Sequence, residues 1–152
     1  MTNRGNNRAS IFSDEIDYLT FLRLLANVVT TRGWSRHAYC LMPNHYHLLL
    51  EAPELDLPVG MRLLNGRYAR RFNLRHDRSG HVFQGRYAAE PVSRDEHVIE
   101  ACRYIVLNPV RAGLCSRPEE WPWSSYGDEA TDLVRDLLGD REAYEAFVLA
   151  GV

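Results

Sequence analysis

The stretch "SRHAYCLMPNHYHLLLEA", residues 35–52, decides the fold. It reads as two strands, "SRHAYCLM" and "HYHLLLEA", joined at "MPNH", where Pro43 and Asn44 supply the turn chemistry. Side chains alternate along a strand, so Tyr46, Leu48 and Leu50 share the face expected to meet a core. His45 and His47 share the other face, about 6–7 Å apart along the chain. Imidazoles are poor filler for a strand that otherwise wants Leu and Val. Two of them at this spacing can hold one metal ion and leave positions open for water or substrate. The plainer reading is one histidine satisfied in the core and the other half exposed.

Helical patterns flank the hairpin. "SDEIDYLTFLRLLANVVTTRGW" predicts a helix with Ser13 as N-cap, acids in the first turn, and Ile16, Leu19, Leu22 and Val29 on its apolar face; Gly33 is the expected stop. "VGMRLLNGRYARRFNLRH" predicts a second, with Met61, Leu64, Tyr68 and Phe72 on one face and Arg62, Arg67, Arg70, Arg71 and Arg75 over the rest. "DRSG" breaks it, and "HVFQGRYAAEPV" reads as one or two strands bent at Gly85. "SRDEHVIEACRYIVLNP" predicts a third helix, opened by an S-x-x-E capping box of Ser93 and Glu96 and ended by Pro109. "PEEWPWSSY" reads as an aromatic loop packed across the domain. An acidic, helical extension is expected from residue 128. Helices interleaved with hairpin signals indicate an α+β class with a mainly antiparallel sheet.

The 152 residues suit one domain, residues 1–127, followed by the extension at 128–152. No apolar run approaches the roughly 20 residues of a membrane span, and "MTNRGNNRAS" has no signal-peptide core, so a cytoplasmic protein is expected. Three cysteines, Cys40, Cys102 and Cys115, without CxxC spacing, indicate neither a disulfide framework nor a thiolate zinc site. The net charge of −2 hides an asymmetry. Residues 61–117 carry 11 Arg against 5 acids, whereas 118–152 carry 2 against 9. A basic middle beside an acidic tail suggests an anionic partner, nucleic acid first, although a solvated helix face would look the same.

One tyrosine stands out among eight. On the third helix Val98, Ala101, Cys102 and Ile105 form the apolar stripe. Tyr104 lies off its centre, with His97, Glu100 and Asn108 on the same side. A tyrosine on a polar helix face fits a helix that looks at a metal site. It equally fits an amphipathic boundary residue.

"RGNNR" (4–8), "HAYCLMPNHYHLLLE" (37–51), "LNGRYARRFN" (64–73), "GHVFQGRY" (80–87), "CRYIVLNPVRAGL" (102–114) and "PEEWPWSSY" (118–126) occur in an order that closely resembles the single-tyrosine HUH transposases, in the branch of REP-associated tyrosine transposases. The resemblance covers residues 2–127. It implies a ferredoxin-like antiparallel sheet with packed helices, and a Mg²⁺ or Mn²⁺ ion held by the His45 and His47 pair. Tyr104 is the implied nucleophile, with Asn108 one turn on as a further metal ligand. The implied activity is cleavage and rejoining of single-stranded DNA beside hairpins such as REP elements, through a 5′-phosphotyrosine link, in the bacterial cytoplasm and on the nucleoid when bound. Arg62, Arg67, Arg70, Arg71, Arg75 and Arg86 are the expected phosphate contacts. The family's first strand usually begins before "RGN"; only Met1 to Asn3 precede it here, so a truncated first strand is expected. Whether one copy or two act together is open. Two rival readings remain: a hairpin-binding module that does not cut, and a metal hydrolase using water with Glu51 or Glu100 as an additional ligand or base.

Overall fold

The computed structural model describes residues 1–93, 95–128 and 136–152. Three antiparallel strands form its sheet: β1 (Thr2–Arg4), β2 (Ser35–Met42) and β3 (His45–Glu51), in the order β1-β3-β2. The β2–β3 hairpin turns at Pro43 and Asn44, as the sequence predicts, and pairs Met42 with His45 and Cys40 with His47. Short as it is, β1 lies across both histidines, pairing Thr2 with His47 and Arg4 with His45. Past that register Leu48 N–H still reaches the carbonyl of Met1 at 2.9 Å.

Residues 82–88 run along the outer edge of β1, where a ferredoxin-like sheet has its fourth strand. They form isolated bridges, Thr2 with Ala88 and Gly5 with Phe83, rather than the strand expected there. The reason is a mismatch of length: the steps from Thr2 to Gly5 are fewer than those from Phe83 to Ala88, so two surplus residues bulge out. Gly85 sits in the bulge, its carbonyl taken by Asn3 Nδ2 at 3.3 Å.

Two helices cover one face of the sheet, α1 (Glu15–Arg32) and α2 (Leu57–Arg75). Asp14, not Ser13, caps α1: its carboxylate accepts from Ile16 N–H at 3.0 Å and Asp17 N–H at 3.3 Å, and its charge suits the positive helix end. The buried stripe of α1 is Tyr18, Phe21, Leu24, Leu25 and Val28; of the predicted stripe, Leu22 and Val29 pack partly against this core, whereas Ile16 and Leu19 are 55% and 42% exposed. Aromatic surface decides the phase, because Tyr18 stacks on Phe12 and Phe21 packs edge-on to Phe12 and Tyr68. Gly33 ends the helix in the left-handed conformation, φ +65°. On α2 the expected stripe of Met61, Leu64, Tyr68 and Phe72 is buried. Gly60 lets α2 approach Trp34, where a Cβ would lie 2.2 Å from the indole.

The other face is covered by α3 (Asp95–Val106), the single turn α4 (Asn108–Arg111) and α5 (Arg141–Leu149). Cys40 and Met42 meet Cys102, Ile105, Val106, Tyr144 and Val148 in a second core. The tail's α5 therefore packs as part of the molecule, while residues 129–135 lie outside the described ones. So does Arg94, within the proposed Ser93–Glu96 capping box. Pro109 does not end the helical run. The break comes at Leu107, and Pro109 opens α4, where its missing N–H costs nothing. Loop 118–127 lines the free edge of β2: Leu41 N–H donates to Trp123 O at 2.8 Å and Trp121 Nε1 to Leu41 O at 3.1 Å. The three cysteines are free thiols, two of them buried. Among the described residues no helix is long and apolar enough to cross a membrane.

Candidate nuclease centre

The period of two along β3 sends Tyr46 and Leu48 into the α1–α2 core and turns His45 and His47 toward α3. The two imidazoles stand nearly perpendicular, with centroids 5.0 Å apart. From α3 the Tyr104 ring approaches His47 edge-on, centroid to centroid 5.9 Å, and stays 50% exposed. Strand and helix thus bring together the three side chains that carry the expected chemistry.

A hydrogen-bond chain sets the orientation of His45. Asn44 Nδ2 donates to the carbonyl of Arg8 at 3.2 Å, which fixes the amide so that Asn44 Oδ1 faces His45 Nδ1 at 2.7 Å. An amide oxygen only accepts, so Nδ1 carries the proton and Nε2 keeps its lone pair. The "RGNNR" segment is what holds that carbonyl. Asn7 and Arg8 both have positive φ, 52° and 59°, and a Cβ at Gly5 would lie 2.1 Å from Ala9 O. Gly5 N–H also donates to Asn44 O at 2.8 Å.

Both histidines are held neutral. Burial, then the Arg4 charge, lowers the pKa of His45. Burial lowers His47 to about 4, helped by His45, the terminal amine and Arg4. The His47 imidazole makes no hydrogen bond among the described residues. A neutral imidazole with a free nitrogen is the state a metal ligates, so the pair fits a divalent ion. Asn108 spends its Nδ2 on Tyr104 O at 2.8 Å, which leaves Oδ1 as the atom able to serve as a further donor. Among the described residues no three His, Cys, Asp or Glu side chains group as a metal site. Glu51 pairs with His37 at 3.2 Å and Glu100 with Arg103 at 2.6 Å.

The six arginines expected at phosphates are divided by the fold. Arg67, Arg70 and Arg71 join Arg23 of α1 in a shallow basic depression, across the sheet from the histidines. Arg75 is committed to Asp14 at 2.5 Å and Asp17 at 2.8 Å, the latter buried. Arg62 and Arg86 line a separate groove between α2 and residues 80–89. Two cations that sequence reasoning missed stand nearer the centre. Arg111 lies over the Tyr104 ring, 5.3 Å from its centroid, and Arg4 pairs across from His45. Only the return of α4 and the β1 register bring them there.

Comparison with known proteins places this geometry. Residues 1–108 match the family model described as "Transposase IS200 like". The chain belongs to that family. The matched span runs from β1 through Asn108 and so contains both histidines and Tyr104. A curated protein of Haemophilus influenzae named "Putative REP-associated tyrosine transposase" is 28% identical over 100 residues, 59% of this chain and 57% of that protein. The alignment thus spans little more than half of the curated relative. A solved structure described as "Structure of the REP associates tyrosine transposase bound to a REP hairpin" superposes with a TM-score of 0.70 at 18% identity, over 88% of this chain and 80% of that one. This likeness establishes the shared fold: an antiparallel sheet with packed helices, as the sequence predicts.

Proposed function

We propose that this transposase-family chain is a metal-dependent DNA strand transferase that cleaves and rejoins single-stranded DNA beside hairpins, with Tyr104 as nucleophile. The observation that carries the reading is the meeting of Tyr104 with His47, 5.9 Å between ring centroids, on the face of β3 that also presents His45. The hairpin-bound neighbour of the same fold and the REP-associated relative support the substrate class.

His45 Nε2, His47 and Asn108 Oδ1 would hold Mg²⁺ or Mn²⁺. A divalent ion bound there supplies a Lewis acid that withdraws charge from a non-bridging phosphate oxygen. Tyr104, half exposed beside His47, is placed to present its Oη to a phosphodiester. A free phenol has a pKa of about 10 and is a weak nucleophile at neutral pH. The Arg111 guanidinium over its ring, 5.3 Å from the centroid, puts a positive charge where a phosphodiester would approach. Attack forms the Tyr104 Oη–P bond and breaks the P–O3′ bond; the phenol proton leaves and the departing 3′ oxygen gains one. The products are a 5′-phosphotyrosine and a free 3′-OH, so bond energy is retained and the reverse attack reseals DNA without ATP.

A trapping assay tests this. Purified chain is incubated with Mg²⁺ or Mn²⁺ and end-labelled hairpin DNA carrying a single-stranded flank, then denatured. The expected result is a covalent adduct that maps to Tyr104, vanishes with EDTA and is absent in Tyr104→Phe. Cleavage surviving in Tyr104→Phe overturns the nucleophile. Hairpin binding with no adduct under either metal points to the binding module that does not cut.

A further inference from the structure

Arg4 stands where a cation is least welcome. Directly opposed residues of an antiparallel pair project to the same face, so Arg4, opposite His45, shares the face of both histidines. Asn3, opposite Tyr46, turns to the core and is buried. His47 is the diagonal neighbour of Arg4, a separation that a long side chain spans. The main chain of Arg4 is held on both sides: its N–H donates to Asn3 Oδ1 at 2.9 Å, and its carbonyl accepts from Gln84 N–H at 2.9 Å. Its side chain is exposed and has no ion pair or hydrogen bond among the described residues. A positive charge beside a divalent site weakens binding of the ion, so an unpaired arginine opposes the ligation that the neutral histidines favour. An anion that touches both offsets the repulsion, and the substrate of the proposed reaction is one.

The order of the elements decides which part of that anion Arg4 meets. Helix α3 lies over β2 and β3, whereas β1 flanks β3 on the side away from β2. Tyr104 and Arg4 therefore approach the histidines from opposite sides, with β3 between them. Phosphoryl transfer sets the attacking and leaving oxygens roughly in line across phosphorus. A phosphodiester attacked by Tyr104 Oη over the histidines thus turns its P–O3′ bond toward β1. One inter-strand spacing is about 4.8 Å, and an extended arginine is longer than that. Arg111, over the Tyr104 ring, stands on the side of the nucleophile instead.

We propose that Arg4 is a catalytic residue of the leaving-group side, whose guanidinium donates hydrogen bonds to the 3′ oxygen as the P–O3′ bond breaks. The inference rests on the strand-transferase reading and adds a role that this reading leaves unassigned. The electron pair of the P–O3′ bond goes to O3′, which takes its proton from water, because an arginine in a protein keeps its own. In the reverse attack the same guanidinium orients the returning 3′ oxygen.

Arg4→Gln and Arg4→Lys test it, with Arg111→Gln as the comparison. Single-turnover adduct formation is followed in Mg²⁺ on hairpin DNA with an ordinary scissile phosphodiester, and on the same DNA with sulfur in place of the bridging 3′ oxygen. A thiol has a pKa of about 8.5 against about 15.7 for water, so a thiolate departs with its charge unaided where an alkoxide needs help. Arg4→Gln should slow the ordinary DNA by about 100-fold or more and the sulfur-bridged DNA by less than about tenfold. Arg4→Lys should recover part of the loss, and Arg111→Gln should slow both DNAs alike. Calorimetry without DNA gives a second readout: Mn²⁺ should bind Arg4→Gln about threefold or more tighter than wild type, opposite in sign to the loss of rate. A residue that merely holds the fold would lower both. Equal slowing of the two DNAs by Arg4→Gln, no slowing, or Mn²⁺ affinity that does not rise overturns the role of Arg4 and leaves the transferase intact. If the wild type forms no adduct on ordinary DNA, the transferase reading falls and takes this role with it.

Discussion

The two faces of β3 carry opposite chemistry in the same seven residues. Tyr46 and Leu48 enter an aromatic layer closed by Phe12, Tyr18, Phe21, Tyr68 and Phe72, in which the two most deeply buried hydroxyls have partners: Tyr46 OH bonds Asn65, and Tyr68 OH bonds the carbonyl of Ile11. His45 and His47, one step away on either side, look at α3 with depressed basicity and, at His47, no hydrogen bond. One face is built to be finished by folding. The other is left for a ligand to finish, and its residues pay for their placement in desolvation. A period of two lets a single strand do both, provided the register never slips, because a slip of one residue would exchange the faces.

The largest expected effect lies on the closed face. Phe21 is fully buried against Phe12, Tyr46 and Tyr68, so Phe21→Ala should cost about 3–5 kcal/mol in urea unfolding. Tyr104→Phe removes the hydroxyl of a half-exposed residue, and should stay within about 0.5 kcal/mol. Similar costs for the two would mean that the faces are not divided as described.

The second effect is pH. The folded pKa of His47 lies near 4, below the 6.5 of the free side chain, so as pH falls the unfolded chain takes the proton first. Stability is therefore full above pH 6.5, falls between 6.5 and 4, and levels off below; the limit is about 3 kcal/mol. His45 is shifted in the same direction. Asp14 and Asp56 have lowered pKa values and lose their contribution only below 3.8, outside this window. Unfolding measured in EDTA from pH 7 to 4 should show this slope in the wild type and a shallower one in His47→Gln. An unchanged slope would move the proton-linked group elsewhere.

The next effect sharpens the open face. Asn44 holds the tautomer of His45, and an outer partner of a metal ligand typically contributes 10–100-fold in affinity, so Asn44→Ala should weaken Mn²⁺ binding by about that factor. Calorimetry at pH 7 reads it directly. Undiminished affinity would remove Asn44, or His45 itself, from the site.

Legibility in the sequence followed the range of the interaction. The hairpin, the α2 stripe and the shared face of His45 and His47 were readable because strand and helix periods act over a few residues. Tyr104 was readable as a residue off the stripe, and its role came with the family resemblance. What stayed hidden depends on partners far along the chain. Asn44 is tied to Arg8, 36 residues back, and Arg75 to Asp14, 61 residues back. Arg23 joins the basic depression only when α1 meets α2. The bulge around Gly85 needs the length of β1 against its neighbour, which no local pattern holds.

The misread face of α1 gives the smallest effect and a sharp check. Ile16, Leu19, Leu22 and Val29 satisfy helical spacing, and so do Tyr18, Phe21, Leu25 and Val28; periodicity cannot choose between two apolar stripes on one helix. Packing chooses the second, because its aromatic rings complement Tyr46 and Tyr68 while the first would present only aliphatic branches to them. Leu19→Ala should then cost no more than about 0.5 kcal/mol, as for an exposed site, and Leu25→Ala about 2–5 kcal/mol. Equal costs at moderate protein concentration would mean that the outer stripe is covered in solution. A second copy of the chain is the first candidate, since Ile16 and Leu19 are adjacent on the helix surface. Such a cost would shrink on dilution, whereas a cost that belongs to the core would not.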